Sequence, residues 1–578
     1  MGLSRREFLE VAAAAAVLLG GEGRLRQAAA RQSLTEADLL KFEDKGQVTI
    51  LHFTDCHAQL VPHYFREPSV NLGVGEARGL PPHLTGKDLL THFGIEPGTA
   101  LAYALSSEDF SALARTYGKI GGFDRIARLI KAIRERRGAD KVLLLEGGDA
   151  FQGSYTSLVS KGGDMARVLN ELAVDATTGH WEFTLGEKRV TELFGSRGKA
   201  GQVKAAFLAG NVVDDEWQEP VFDASRTFTR NGVRIAVIGQ AFPFTAVANP
   251  RWMVPKWSFG IREQAVRASV ARARKQGAEV VVLLSHNGFD VDRKLAARVP
   301  GIDVILTAHT HDAMPAPQKV GKTLLIASGS SGKFLSRLDL ELNGGKVADY
   351  SYSLIPILSD AITPDPGMEK LVAEIRAPHE AKLKTAVAHA NSLLYRRGNF
   401  GGTWDDLICN AMLAERDAEI ALSPGFRWGG SVLPDSDITW EDVFNVTAIT
   451  YPKCYRITMT GARLKETLED VADNLFHPDP YYQQGGDMVR AGGIAFTLKV
   501  DERIGRRIDG LRLTRTGAPI EPGRSYVVAG WGSVSETVEG PPIWDLIAAH
   551  LGRRKVIEIG PSSNITASRQ NAHQPAKP

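Results

Sequence analysis

Cysteine is nearly absent: Cys56, Cys409 and Cys454 are the only three in 578 residues. An odd count at such wide spacing excludes a disulfide framework, so the fold must rest on a buried apolar core. Cys56 reads as an inert buried thiol rather than a soft metal ligand. An excess of one charge is missing too. Lys and Arg number 69 against 67 Asp and Glu, a net charge of +2, and the first 30 residues, with four Arg and three Glu, carry half of it. Global charge therefore gives no reason for nucleic-acid binding. No apolar run reaches membrane-spanning length and mean hydropathy is −0.14, so no membrane association is expected of the mature chain. Internal repeats are absent as well.

What is present begins with a targeting segment. Ser4-Arg5-Arg6-Glu7-Phe8-Leu9 precedes VAAAAAVLLGG, with small residues at Ala28-Ala29-Ala30. Adjacent arginines, a short apolar stretch and a small-residue cleavage site look like a twin-arginine signal peptide over residues 1–30. A periplasmic mature protein starting near Arg31 is expected. The length argues for two or more domains. Residues 46–355 alternate apolar runs and amphipathic segments, an α/β pattern. Within them, residues 60–119 form an irregular stretch too long for an ordinary loop, expected to cover or border a site. Residues 123–137 put Ile126, Leu129, Ile130 and Ile133 on one helical face. KAAFLAGNVV and VRIAVIGQ read as strands. Residues 356–387, charged and with a Pro inside, read as a linker helix. A smaller α/β domain follows over 388–560, and the polar residues 561–578 read as a disordered tail.

Four hydrophobic runs end in residues that bind metals. VTILHFTDCH ends at Asp55 and His57, VLLLEGGD at Asp149, VVVLLSH at His286, and VDVILTAHTH at His309 and His311. Such runs read as buried strands, and sites in α/β sheets form at the carboxyl ends of strands. The reading predicts that these residues converge on one edge of one sheet, with Asp55 and His57 aligned by strand alternation. An Asp149 on a tight Gly turn could bridge two cations with its two oxygens, giving a two-metal hydrolase centre.

DxH, GGDxxxGS, GHWEF, SHNG and AHTH, in this order, resemble the calcineurin-like metallophosphoesterases. SDITWEDVFNVTAITYPKCYRITMTGARLKETLED resembles the second domain of the 5′-nucleotidase family. The similarity covers about residues 46–560. It implies a layered β-sandwich flanked by helices, plus a 5′-nucleotidase-type α/β domain. It implies one metal held by Asp55, His57, Asp149 and His311, and another by Asp149, His180, His286 and His309. Where nucleotidases carry GNHEFD, this chain has Gly179-His180-Trp181-Glu182-Phe183-Thr184. The catalytic His of that pair has become Trp181, which cannot donate a proton to a leaving group as His does, and its Asp has become Thr184. DCHAQL, GHWEFT, AHTHDAMP and GGDMVR are similar to the SoxB family of thiosulfohydrolases. That resemblance implies two Mn2+, with Zn2+ compatible on ligand type. It implies hydrolysis of the terminal sulfonate from a cysteine S-thiosulfonate on the C-terminal arm of the SoxYZ carrier. A metal-activated hydroxide would attack sulfur, releasing sulfate and leaving a persulfide. Asp149, Arg427 and Trp181 are then expected in the catalytic site, with Arg427 as an anion clamp. Asp487 and Arg490 would shape the entry channel or bind each other, and Gly485 and Gly486 would let a backbone approach.

Overall fold

The computed structural model describes residues 34–568. The expected signal peptide lies outside them. Fourteen strands build the first domain: β1 (Val48–Phe53), β2 (Val142–Glu146), β3 (Ala176–Thr177), β4 (Ala206–Phe207), β5 (Val213–Asp214), β6 (Ser225–Arg230), β7 (Val233–Gln240), β8 (Trp257–Ser258), β9 (Val280–Ser285), β10 (Val304–Thr307), β11 (Gln318–Val320), β12 (Thr323–Ala327), β13 (Phe334–Asn343) and β14 (Lys346–Pro356). They form two six-stranded sheets, ordered β14-β13-β1-β2-β3-β4 and β11-β12-β10-β9-β7-β6, and a β5-β8 ribbon.

The sheets pack face to face. Ile50, Leu143 and Leu145 of one meet Val237, Val282, Leu284, Val304 and Leu306 of the other in one buried cluster. The outer face of the first sheet, including Leu51 and Leu144, is covered by the helix Phe123–Arg137 through Ile126, Leu129, Ile130 and Ile133. The outer face of the second, including Val281 and Ile305, is covered by the helices Glu263–Lys275 and Phe289–Arg298. Strands β1, β2, β9 and β10 are thus buried on both sides along their whole length, which is why they read as unbroken apolar runs. Each fully buried Val or Leu contributes about 1.5–3 kcal/mol of transfer free energy.

The four runs therefore converge on the carboxyl edge of two facing sheets. β1 pairs parallel with β2, and β9 with β10, in different sheets, so the single-sheet expectation is corrected. KAAFLAGNVV is not one strand but the short β4 and β5, since Gly210 packs against Ala224 and turns the chain. The stretch 60–119 is not wholly irregular: it contains the helices Gly86–Phe93, Ala100–Leu105 and Phe110–Tyr117, with Phe65, Tyr103 and Phe110 buried against Leu358 and Leu433.

The linker segment breaks at Pro378. The helix Pro366–Arg376 buries Met368 and Val372 in the first domain's core, and a short helix, Glu380–Leu383, follows. The second domain has three small sheets. One joins Cys454–Thr460, Ser525–Trp531, Ile420–Ser423 and Arg490–Gly492. Another ends in Ile565–Ser568, which pairs parallel with Phe496–Lys499. Residues 565–568 of the expected disordered tail therefore form a strand, Ile565 and Thr566 being strand-formers with a free edge to join; residues 569–578 lie outside the described residues.

Candidate metal centre

Both ligand-bearing segments of the first sheet lie beyond the strands. β1 stops at Phe53, and Asp55 and His57 sit in a loop with φ of 51° and 47°. Strand alternation does not align them. Backbone bonds do: Asp55 N donates to Gly148 O at 2.9 Å, His57 N to Asp149 O at 2.8 Å, and Ser331 N to Asp55 O at 2.8 Å. Asp149, His309 and His311 also have positive φ, at 59°, 77° and 60°. A non-glycine residue held there costs about 1–3 kcal/mol, and such strain gathers at functional sites.

Seven side chains converge in two groups, Asp55–His57–Asp149–His311 and Asp149–His180–His286–His309, each with ligand atoms within 4.8 Å of one another. Asp149 belongs to both. Its Oδ2 faces His180 Nδ1 at 3.1 Å, His286 Nε2 at 3.2 Å and His57 Nε2 at 3.9 Å. Its Oδ1 accepts from Trp181 N at 2.8 Å, so a single oxygen, not two, points at both groups. Asp55 Oδ1 lies 3.4 Å from His311 Nε2 and 3.6 Å from His286 Nε2.

These residues fit divalent cations. His57 Nδ1 faces Gln152 O at 3.1 Å and His286 Nδ1 faces Gly147 O at 2.6 Å. A carbonyl accepts only from N–H, so the lone pairs lie on Nε2, toward the centre. Burial depresses the His57, His180, His309 and His311 imidazoles, keeping them neutral as ligands must be. Burial acts the same way on His286, but the carboxylates of Asp149 and Asp55 outweigh it and lift that ring to about 10. Carboxylates that draw a proton there also draw a cation. His309 Nδ1 is buried with no hydrogen-bond partner, while its Nε2 meets Gln484 O at 3.0 Å.

The second domain closes over this centre. Trp428 stacks on His57, with ring centroids 5.2 Å apart and planes at 22°. The Arg427 guanidinium donates to His309 O and is buried. A narrow chamber of about 80 Å3 opens beside His309 and Thr310, lined by Arg397, Asn399, Arg427, Gly485, Gly486 and Asp487, and by Pro68, Asn71 and His83 of the long segment after β1. That segment does border the site. At Gly485, with φ +70°, a Cβ would stand 2.4 Å from His309 Nε2, so glycine is what lets this backbone touch the ligand. Arg490 does not line the chamber. Its Nη2 bonds Asp487 Oδ2 at 2.8 Å and its Nε lies 3.5 Å from Asp405, which makes it an anchor for the chamber wall. Cys56 is fully buried and its thiol pushed up by burial. Sequence reasoning missed Arg397, Asn399, His83 and Phe242, whose ring stacks on His309 at 4.1 Å. They carry no motif, and only the folded chain brings them here.

A family model of the calcineurin-like phosphoesterases matches residues 48–313, and one of the 5′-nucleotidase C-terminal domain matches residues 385–540. The solved structure of the sulfate thiohydrolase SoxB of Thermus thermophilus, in complex with glycerol, is 37% identical. It aligns with 93% of this chain and 99% of its own, at a TM-score of 0.87. The chain belongs to the SoxB family. Nucleotidases are similar at lower identity. The Bos taurus 5′-nucleotidase is 22% identical over 458 residues, 70% of this chain and 74% of its own. A 5′-nucleotidase precursor from Thermus thermophilus is 19% identical with a TM-score of 0.70, over 90% of this chain and 99% of its own, a likeness of fold.

In this SoxB-family chain the two positions of the nucleotidase His–Asp pair serve other ends. Trp181 was expected in the catalytic site: its backbone N–H donates to Asp149 Oδ1 at 2.8 Å, and its indole lies beside the His180 ring with centroids 5.5 Å apart. Its indole is buried in a cluster with Phe426 at 5.1 Å, Trp428 at 5.0 Å and Tyr451 at 6.1 Å, side chains of the second domain. Thr184 Oγ1 donates to Gln152 Oε1 at 2.6 Å and lies 2.7 Å from Trp181 O. An indole is driven from water into an apolar interface, and this one seals the domain junction.

Proposed function

We propose that this chain is a thiosulfohydrolase. It hydrolyses the terminal sulfonate from a cysteine S-thiosulfonate carried on the C-terminal arm of a SoxYZ-type carrier in the periplasm. The observation that carries the reading is the replacement of the nucleotidase acid pair by Trp181, buried in an aromatic cluster, and Thr184, bonded to Gln152. Neither can protonate a leaving alkoxide at neutral pH. A nucleoside alkoxide needs that proton; a persulfide is a far weaker base and departs as an anion. Loss of the acid with retention of both ligand groups therefore fits S–S cleavage.

In the reaction, R–S–S–SO3− and water give R–S–S−, SO4 2− and two protons. Two divalent cations, Mn2+ by the family resemblance and Zn2+ on ligand type alone, would be held by the two ligand groups and supply Lewis acidity toward sulfonate oxygens and acidification of water. Arg427 reaches the chamber from the second domain and offers paired donors to the sulfonate. Asp487, whose backbone N bonds Gly425 O beside Arg427, is held by Arg490, and Gly485 and Gly486 leave room for an extended arm. Trp428 covers His57 and Trp181 covers His180, which keeps water from those sides of the centre. Export by the twin-arginine route would place the folded protein beside its carrier.

The test is sulfate release from a thiosulfonated-cysteine peptide by the Mn2+-loaded protein, with AMP hydrolysis in parallel. Sulfate without phosphate is expected. Phosphate without sulfate would return the chain to the nucleotidases. Neither product, with the carrier still bound, would make it a non-catalytic scaffold.

A further inference from the structure

Two buried carboxylates outside the ligand set each tie together two ligand-bearing segments of the same metal group. Asp292, in the first turn of the helix Phe289–Arg298, is fully buried. Its Oδ1 accepts from Ser285 Oγ at 2.8 Å and Asn287 Nδ2 at 3.0 Å, and its Oδ2 from Thr307 Oγ1 at 2.6 Å. Ser285 and Thr307 are register partners at the last positions of the parallel strands β9 and β10. His286 follows the first directly and His309 follows the second by two residues. Asp292 thus clamps the two strand ends from which these ligands leave. Glu182 does the same for the other two ligands: its Oε1 accepts from Ala150 N at 2.9 Å, beside Asp149, and its Oε2 from His180 N at 2.7 Å.

We propose that Asp292, with Glu182 as its counterpart, is a positioning residue for one metal of the pair, the one held by Asp149, His180, His286 and His309. The inference rests on a dimetal centre but not on the identity of the substrate. The second group has further anchors of its own. His57 is set by Gln152 O. The Asp55 backbone is held by Gly148 O and Ser331 N, besides the 3.2 Å bonds its carboxylate accepts from His309 N, and the His311 carbonyl meets Arg397 Nη2 at 3.4 Å. Releasing the strand ends should therefore separate His286 from His309 and spare the Asp55–His57–His311 side.

The experiment is a Mn2+ titration of the full mature protein, reading free Mn2+ and the spin-coupled signal by electron paramagnetic resonance. Wild type is expected to bind two Mn2+ per chain with a coupled signal. In Asp292→Ala, one Mn2+ should bind as in wild type and the other about 10–100-fold more weakly. The coupled signal should give way to that of an isolated ion at one equivalent. Asp292→Asn, which keeps the shape and the fold, should show a smaller loss in the same direction and decides the matter if Asp292→Ala does not fold. Glu182→Gln should weaken the same ion, so the double variant still binds one Mn2+ tightly. Equal weakening of both ions, or two unchanged ions in Asp292→Asn and Glu182→Gln alike, would overturn the proposal.

Discussion

Asp149 carries more of this centre than any other residue. One of its oxygens points at both ligand groups and the other is held by the Trp181 amide. Asp149→Asn keeps the shape but removes the charge common to both sites. It is expected to lose both metals and all turnover, measured as metal content after dialysis alongside sulfate release; a variant that keeps two metals would remove the bridging role. Arg427 acts differently. It touches the backbone of His309 and faces the chamber without joining either group. Arg427→Ala should leave metal content intact and raise KM roughly 10- to 100-fold, the value of a charge-assisted hydrogen bond to an anion of about 1.5–3 kcal/mol. Unchanged kinetics would place this guanidinium outside the substrate's reach.

At the scale of elements, the loops after the strands decide the geometry. Gly485 shows how tightly. In Gly485→Ala a Cβ would overlap the His309 ring, 2.4 Å from its Nε2, in a left-handed backbone that alanine resists. The ring must move, so Mn2+ affinity should fall while the fold survives; wild-type affinity would mean the 484–487 loop yields instead. The helix Phe123–Arg137, its apolar face and the strands β1, β2, β9 and β10 were legible in the sequence, because two-sided burial leaves unbroken apolar runs and one-sided burial leaves a 3.6-residue period. The loop conformations were not. Asp55 and His57 look like strand residues two apart, yet it is backbone bonding to Gly148 and Asp149 that aligns them. Trp181 read as a catalytic-site residue because its neighbours are ligands. Its own side chain obeys the hydrophobic effect of a domain that begins some 200 residues later, and no local pattern records that. Arg397 and His83 were illegible for the same reason.

The whole molecule is two domains joined through aromatic contacts at the site itself. Trp181 sits in the second domain's core cluster, and Thr450 Oγ1 donates to Thr184 O at 2.9 Å. Trp181→Ala should cost about 3–5 kcal/mol, the usual range for emptying a large aromatic site, seen as a lower Tm with metal content retained. A loss of metal at unchanged Tm would mean the indole supports the ligands and not the junction. Metal removal should also lower Tm. Ions that bind only the folded chain stabilise it by about 2.7 kcal/mol when free metal is a hundredfold above Kd, and the ligands here converge only on folding. Among the described residues no helix is long and apolar enough to cross a membrane, and His309 of the ligand set lines the chamber between the domains.

The proposed reaction is hydrolysis at a sulfonate sulfur by a centre without the nucleotidase leaving-group acid. The most direct test is to react the Mn2+-loaded protein with a thiosulfonated carrier in 18O-labelled water and weigh the sulfate. Sulfate bearing one solvent oxygen is expected, with a persulfide left on the carrier cysteine. Sulfate without label, or no sulfate beside labelled phosphate from AMP, would contradict it.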